Sequence, residues 1–213
     1  MLAYSSCVNV ARPHTAIASG IDSEVLVTLA RTTRPLSGRR VAELVGHSQR
    51  GVLTVLDRFV EHGLVLRTEA GRALMHELNR DHLAATAVDV LAGMRVELLA
   101  RLRNAFAEWD VGPVHASLFG SAARGDGDTS SDIDLFVVRP ASVGEETAAW
   151  RSQVERLTGD VRRWTGNHAT VIEQDEADIR RLGRSKAPVL KELERDGIDL
   201  AGTPLRELLA TPR

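Results

Sequence analysis

The sequence is short of several things, and each shortage removes a class of explanation. It has one cysteine, Cys7, so no disulfide forms within the chain, and a reducing compartment fits. Apolar residues never run uncharged for the ~20 positions that a membrane helix needs. The opening "MLAYSSCVNVARPHTAIASG" has no basic stretch followed by an apolar one, so it does not read as a secretory signal. Aromatic residues are few, at 4%, but the hydrophobic share of 43% is ordinary, which argues against disorder and fibrous repeats. Lysine is scarce: all but Lys186 and Lys191 of the 27 cationic side chains are arginines, which reads equally well as genomic base composition and as phosphate recognition. The expectation is a soluble, cytoplasmic protein with no membrane partner, built as one large domain or two small ones.

Charge is distributed unevenly. Residues 1–80 hold ten arginines against seven acidic residues, a balance of +3, which leaves −5 on the remainder. Two parts with different partners are implied.

The N-terminal part reads as three helices and a hairpin. "IDSEVLVTLART" offers Asp22 as a cap, then Val25, Leu26 and Leu29 at helical spacing. "LSGRRVAELVG" follows Pro35, with Ser37 as cap and Val41, Leu44 and Val45 on one face. "HSQRGVLTVLDRFVEHG" has Ser48 as cap, a stripe of Val52, Val55, Leu56, Phe59 and Val60, and Gly63 just past its end. "LVLRTEAGRALMHEL" then gives two strands about a Glu69-Ala70-Gly71-Arg72 turn.

This order resembles the winged-helix domains of small bacterial regulators. The resemblance implies a third helix in the major groove of double-stranded DNA and a wing on flanking backbone. The residues placed to do so are Arg39, Arg40, Gln49, Arg50, Thr54 and Arg58, with Arg67 and Arg72 on the wing. Arginines suit phosphates, and Gln49 suits a base edge. A winged helix used only for protein contacts or dimerisation is the other reading.

From His82 to about Trp109 the pattern is helical. Leu83, Ala87, Leu91, Met94, Leu98, Leu102 and Phe106 recur at steps of three or four, which predicts a rod of about 42 Å if Gly93 does not break it. Its stripe must pack on a neighbouring domain or on a second copy in a homodimer.

The chemistry lies in "LFGSAARGDGDTSSDIDLFVV", Leu118 to Val138. A strand, "VHASLF", ends in Gly120-Ser121, where glycine permits close backbone approach and the hydroxyl suits phosphate oxygens. A second strand, "DIDLFVV", then places Asp132 and Asp134 on one face, about 6.5–7 Å apart along it. Buried carboxylates must pair with cations or bind metal. Two of them beside a phosphate cradle make a seat for two Mg²⁺ ions.

Gly-Ser after an apolar residue, ten intervening residues and then Asp-Ile-Asp-Leu resembles the signature of the DNA polymerase β-like nucleotidyltransferase superfamily. Arg124, Gly125 and Ser131, in "GSxARG…SDIDL", point to its small bacterial branch. That branch holds minimal nucleotidyltransferases, antitoxins that adenylylate partner toxins, and drug-modifying enzymes. The resemblance covers roughly residues 110–205. It implies that Gly120 and Ser121 hold a triphosphate, with Ser131 as a helper, and that Asp132 and Asp134 hold the metals. Arg124 either offsets phosphate charge or makes a structural ion pair. The implied reaction is in-line attack by an acceptor hydroxyl on the α-phosphate of a nucleoside triphosphate, ATP foremost, with release of pyrophosphate.

One departure stands out. Where the superfamily supplies a third carboxylate from a later strand, "NHATVIEQDEAD" has Thr170. Glu173 has the opposite side-chain parity and needs a bulge or shifted register to replace it. His168 shares parity with Thr170 and is a candidate base or ligand, or a polar strand end.

The tail reads as one or two helices, a short edge strand and a last turn. Arg180, Arg181, Arg184 and Lys186 form a basic cluster that could meet a triphosphate or an RNA acceptor, or simply face solvent. Trp109, Trp150 and Trp164 read as core or interface anchors.

The whole is therefore an α+β chain: a winged-helix domain over 1–81, a linker helix over 82–109 and a nucleotidyltransferase domain with a small mixed sheet over 110–213. The leading function is Mg²⁺-dependent transfer of AMP from ATP to a protein, RNA or small-molecule hydroxyl. The alternative is a winged-helix regulator or antitoxin-like repressor whose second domain only binds nucleotide or a toxin partner.

Overall fold

The computed structural model describes residues 8–18, 20–126, 131–185 and 187–210, with the side chains of Arg180 and Arg184 outside that description. The residues fall into two units. One is Pro13–Arg95; the other is Val96–Arg213 together with the segment ending at Arg12.

The first unit runs α1 (Ile21–Ala30), β1 (Leu36–Ser37), α2 (Gly38–Val45), α3 (Gln49–Glu61), β2 (Val65–Ala70) and β3 (Ala73–Leu78). Both expected serine caps form: Ser37 Oγ accepts the Arg40 N–H and Ser48 Oγ the Gly51 N–H, each at 3.2 Å. Val25, Leu29, Val41, Val45, Val52, Val55 and Leu56 are buried together, and each such side chain contributes roughly 1.5–3 kcal/mol relative to exposure. The strands order β1-β3-β2, all antiparallel. This is a winged helix.

Three local expectations need correction. Asp22 does not cap α1: Gly20 holds that position and Asp22 instead pairs with Arg58. Leu44 is 46% exposed, and the buried face of α2 is Val41, Ala42 and Val45. The wing turn is tighter than Glu69–Arg72. Ala70 pairs with Ala73, so only Gly71 and Arg72 loop out, and Gly71 at φ 63° takes the left-handed conformation that two-residue hairpins demand.

Helix α4 (Ala85–Ala107) is continuous through Gly93. Its expected stripe does not hold as one face, since Leu83 is 95% exposed and Ala87 is also exposed. Leu83 lies in the turn before α4, and within the helix successive steps of four rotate about 40° beyond a full turn each, so the stripe drifts around it. Of the expected stripe Leu102 and Phe106 are buried, and nearer the start of the helix Ala85 and Val88, off the stripe, are buried as well.

The second unit continues through β4 (His115–Phe119), α5 (Gly120–Arg124), β5 (Ile133–Arg139), α6 (Ala148–Thr165), β6 (Ala169–Asp175), α7 (Glu176–Ser185), α8 (Pro188–Asp196), β7 (Ile198–Gly202) and α9 (Leu205–Ala210). The sheet orders β6-β5-β4-β7. Only β5 and β6 are parallel, joined by the α6 crossover, so the sheet is mixed. On one face Leu118, Ile133, Leu135 and Val137 pack with Leu102, Phe106, Trp109, Trp150 and Val161; Val10 joins this core from the N-terminal segment. Trp109 and Trp150 meet edge to face at 5.1 Å, as core anchors. On the other face Phe119, Phe136 and Val138 pack with Ile179, Leu190, Leu193 and Leu205. The candidate site opens on this second face.

Candidate functional site

Strand register sets the geometry of the site. In the antiparallel β4–β5 ladder Phe119 stands opposite Asp134, and in the parallel β5–β6 ladder Asp134 stands opposite Thr170. Side chains alternate along a strand, so Asp132, Asp134 and Thr170 share one face. The Thr170 hydroxyl donates to Asp132 Oδ2 at 3.4 Å.

Gly120 closes the other side. It has φ 66°, and a Cβ built there would lie 2.3 Å from Asp134 Oδ2. No other residue fits between the end of β4 and that carboxylate. Ser121 follows, half-buried, on α5, and Gly125 at φ 77° ends the turn. The loop residues 127–130 lie outside the described residues.

The two carboxylates are not buried as expected: Asp132, just before β5, is exposed and Asp134 is half-buried. Burial pushes the Asp134 carboxyl above the ordinary carboxylate range, Asp132 and Glu192 push the same way, and Arg124 opposes them. Glu192, an exposed residue of α8, was not singled out from the sequence. It lies one helical turn before Asp196, and no local motif marks it.

Arg124 is engaged in ion pairs. Its guanidinium holds Asp126 at 2.9 Å and reaches Asp196 at 3.9 Å, and the Asp126 hydrogen bond raises its pKa. Ser131 directly precedes Asp132, and its carbonyl accepts the Asn167 amide at 2.9 Å. The basic cluster in the tail lies mostly outside the described residues; Arg181 pairs with Asp178 at 2.7 Å.

Neither alternative to the missing acid moves into place. The β5–β6 register runs without a bulge, so Glu173 stays opposite Val137 on the far face. There its carboxylate accepts the Trp150 indole N–H at 2.5 Å and faces Arg139 at 3.9 Å. His168 is exposed and its ring is held by Arg162. Among the described residues no group of three or more His, Cys, Asp or Glu is close enough to hold a metal ion. The donor set nonetheless fits Mg²⁺, which takes one or two carboxylates and completes its shell with substrate phosphates and water. The excess negative charge on Asp134 is what such an ion would neutralise.

A second polar cluster on the same face is closed. His115 Nδ1 donates to the Thr203 carbonyl at 2.9 Å, which leaves Nε2 to accept the Ser117 hydroxyl at 3.1 Å. Both side chains are buried, so the pair ties β7 to β4 and meets no substrate.

On the winged helix, Gln49, Arg50 and Thr54 are exposed at the start of α3, and Arg72 sits at the tip of the wing. Four other arginines are engaged: Arg39 and Arg40 with Glu43, each at 3.1 Å, Arg58 with Asp22, and Arg67 with Asp57 at 2.9 Å. These exposed pairs are weak and screened, so a phosphate can displace them.

Comparison with known proteins agrees with this geometry for the second unit. Residues 99–182, under half of the chain, match the family model described as "Nucleotidyltransferase domain". No curated protein matches the chain significantly. Similar solved structures include a MarR family transcriptional regulator from Silicibacter pomeroyi DSS-3, at 23% identity and TM-score 0.33 over 42% of this chain and 63% of that one. A MarR family regulator from Rhodococcus sp. RHA1 overlaps at 20% identity and TM-score 0.32, over 48% and 73% of the two chains. CouR from Rhodococcus jostii RHA1, bound to p-coumaroyl-CoA, does so at 19% and 0.32, over 43% and 65%. The chain thus spans less than two thirds of the first and third of these structures. The matched stretch contains the Gly-Ser turn and the Asp-x-Asp strand, so the likeness of residues 99–182 to a nucleotidyltransferase domain covers the candidate site itself.

Proposed function

We propose that this protein transfers a nucleotide, AMP from ATP, to a hydroxyl on a protein, RNA or small molecule, with Mg²⁺ as cofactor, and that its winged helix binds double-stranded DNA. The observation that carries the transferase reading is the contact between Gly120 and Asp134. Gly120 lies so close to the Asp134 carboxylate that only bare backbone sits beside it, and in this reading that backbone receives a phosphate.

In this reading the Gly120 turn and the Ser121 hydroxyl receive the triphosphate oxygens. Asp132 and Asp134 hold the divalent cation, which when bound neutralises phosphate charge and polarises the α-phosphorus. An acceptor hydroxyl attacks that phosphorus in line, the bond to the bridging oxygen breaks, and pyrophosphate leaves while the hydroxyl proton passes to water. Positioning and charge neutralisation supply most of the rate. Arg124 joins the phosphates only by exchanging Asp126 and Asp196 for them.

The test is incubation of the full chain with α-labelled ATP and Mg²⁺, beside an Asp132→Ala, Asp134→Ala control. Label transfer or pyrophosphate release that vanishes in the control supports the proposal. Equal signals in both would sink it.

A second reading is favoured by Thr170 standing where a third acid is expected while Glu173 is engaged with Trp150. A site with two carboxylates can bind nucleotide without turning it over, or await a partner such as a toxin. The protein is then a regulator that retains specific DNA and senses nucleotide. Retention of DNA with no turnover supports this version.

A further inference from the structure

Asp132 lies just before β5, and the turn that ends α6 grips the chain on both sides of it. Gly166, at φ 77°, terminates α6 by donating its N–H to the Arg162 carbonyl at 2.8 Å. Asn167 follows, buried at 1% exposure, with its own N–H on Thr165 Oγ1 at 3.1 Å. Its Nδ2 donates to the Ser131 carbonyl at 2.9 Å, one residue before Asp132. The next residue, His168, accepts the Ile133 N–H at 2.9 Å, one residue after Asp132. Thr170, two further along, holds the Asp132 carboxylate itself.

The orientation of the amide is fixed. Asn167 Oδ1 accepts the Val8 N–H at 3.0 Å, so Nδ2 must be the atom facing Ser131. A flipped amide would set oxygen against oxygen at one contact and N–H against N–H at the other.

We propose that Asn167 is a positioning residue for Asp132: its buried amide holds the Ser131 carbonyl and so fixes the backbone from which the Asp132 carboxylate projects. This rests on the reading of Asp132 as a metal-holding carboxylate. Groups that orient a ligand from behind typically change metal affinity by about 10- to 100-fold when removed.

Two substitutions separate positioning from general support. Asn167→Asp keeps an acceptor for Val8 but replaces the donor facing Ser131 with an oxygen. Val8→Pro removes the Val8 N–H, which is shared between Asn167 Oδ1 and the Thr165 carbonyl at 2.9 Å, and leaves the Ser131 bond intact. Each full-length variant is titrated with Mn²⁺ followed by electron paramagnetic resonance, and hydrogen exchange is followed at the Ile133 amide. Asn167→Asp should weaken Mn²⁺ about 10-fold or more and speed exchange at Ile133, with exchange in β4 unchanged. Val8→Pro should leave both near wild type. The proposal is overturned if Asn167→Asp matches wild type in both readouts, or if Val8→Pro reproduces its effects.

If wild type and Asp132→Ala bind Mn²⁺ equally poorly, the metal reading fails. Exchange at Ile133 then decides the positioning claim alone: faster exchange in Asn167→Asp upholds it and unchanged exchange overturns it. Should Asn167→Asp not fold, Asn167→Ser, smaller and uncharged, takes its place under the same criteria.

Discussion

Thr170 and Asp132 face each other across the β6–β5 gap, hydroxyl to carboxylate, at 3.4 Å. A carboxylate at Thr170 would therefore point at the same space as Asp132 and Asp134. Thr170→Asp is expected to tighten Mn²⁺ binding and to raise nucleotide transfer by at least about tenfold, by adding a third oxygen ligand. Metal titration and α-labelled ATP turnover measure it. Glu173→Ala should change neither, because Glu173 lies on the far face. It should instead cost roughly 1–3 kcal/mol of stability through the lost Trp150 bond.

Asp134 is held at a cost. Folding lifts its pKa, mainly through burial, so the folded chain keeps that proton to a higher pH than the unfolded chain does. Stability consequently falls as pH rises through the interval between the two values, and the full deficit is present above both. Asp134→Asn is expected to raise the thermal midpoint at pH 7 while abolishing transfer. Each kcal/mol gained corresponds to about 2–4 °C in a chain of this size. Added Mn²⁺ should raise the wild-type midpoint and leave the variant where it was. A variant that melts below wild type without metal would contradict this.

His115 has the opposite sign. Burial pushes its imidazole below the ordinary value, against the Thr203 carbonyl and Asp199, which favour the charged form. The unfolded chain takes up the proton first, near pH 6.5. The stabilising contribution is thus complete above about pH 6.5 and is lost as pH falls towards the folded-state pKa. Buried His76, in the winged helix, is lowered for the same reason and adds in the same direction. Urea midpoints measured on either side of pH 6 should decline toward acid, and His115→Gln should flatten that slope.

For the winged helix, Arg50 and Arg58 differ in what they must give up. Arg58 is paired with Asp22, whereas Arg50 has no ion pair among the described residues. Arg50→Ala is expected to weaken DNA retention more than Arg58→Ala. Each lost phosphate contact should reduce the slope of log affinity against log salt by about 0.9. Filter retention across a salt series decides it, and slopes identical to wild type would count against groove binding by α3.

Much of the architecture was legible because local chemistry announced it. Ser37 and Ser48 cap as read, since a hydroxyl before an apolar-periodic run has few better uses. The Gly-Ser spacing to Asp-x-Asp marked the candidate site because each residue type there answers a separate steric or electrostatic demand. Asp22 misled because glycine at position 20 and an arginine thirty-six residues away compete for what looked like a cap. The α4 stripe misled because steps of four drift around a helix. Asn167 and Glu192 were illegible for a different reason: their partners, Ser131 and Asp134, are brought near only by tertiary packing. Thr170 stands opposite Asp134, on the face its parity implied, and the unbroken β5–β6 register leaves Glu173 on the opposite face.

The short stretch around Val8 and Val10 carries a practical lesson about cutting this molecule. Val10 fills the interior shared with Trp150 and Leu102, and Val8 steadies the amide of Asn167, yet the whole regulator-like module is encoded between them and the rest of that interior. The winged helix is therefore spliced into its host instead of hanging from its front. A truncated transferase beginning at Val96 would arrive with a hole where a valine belongs.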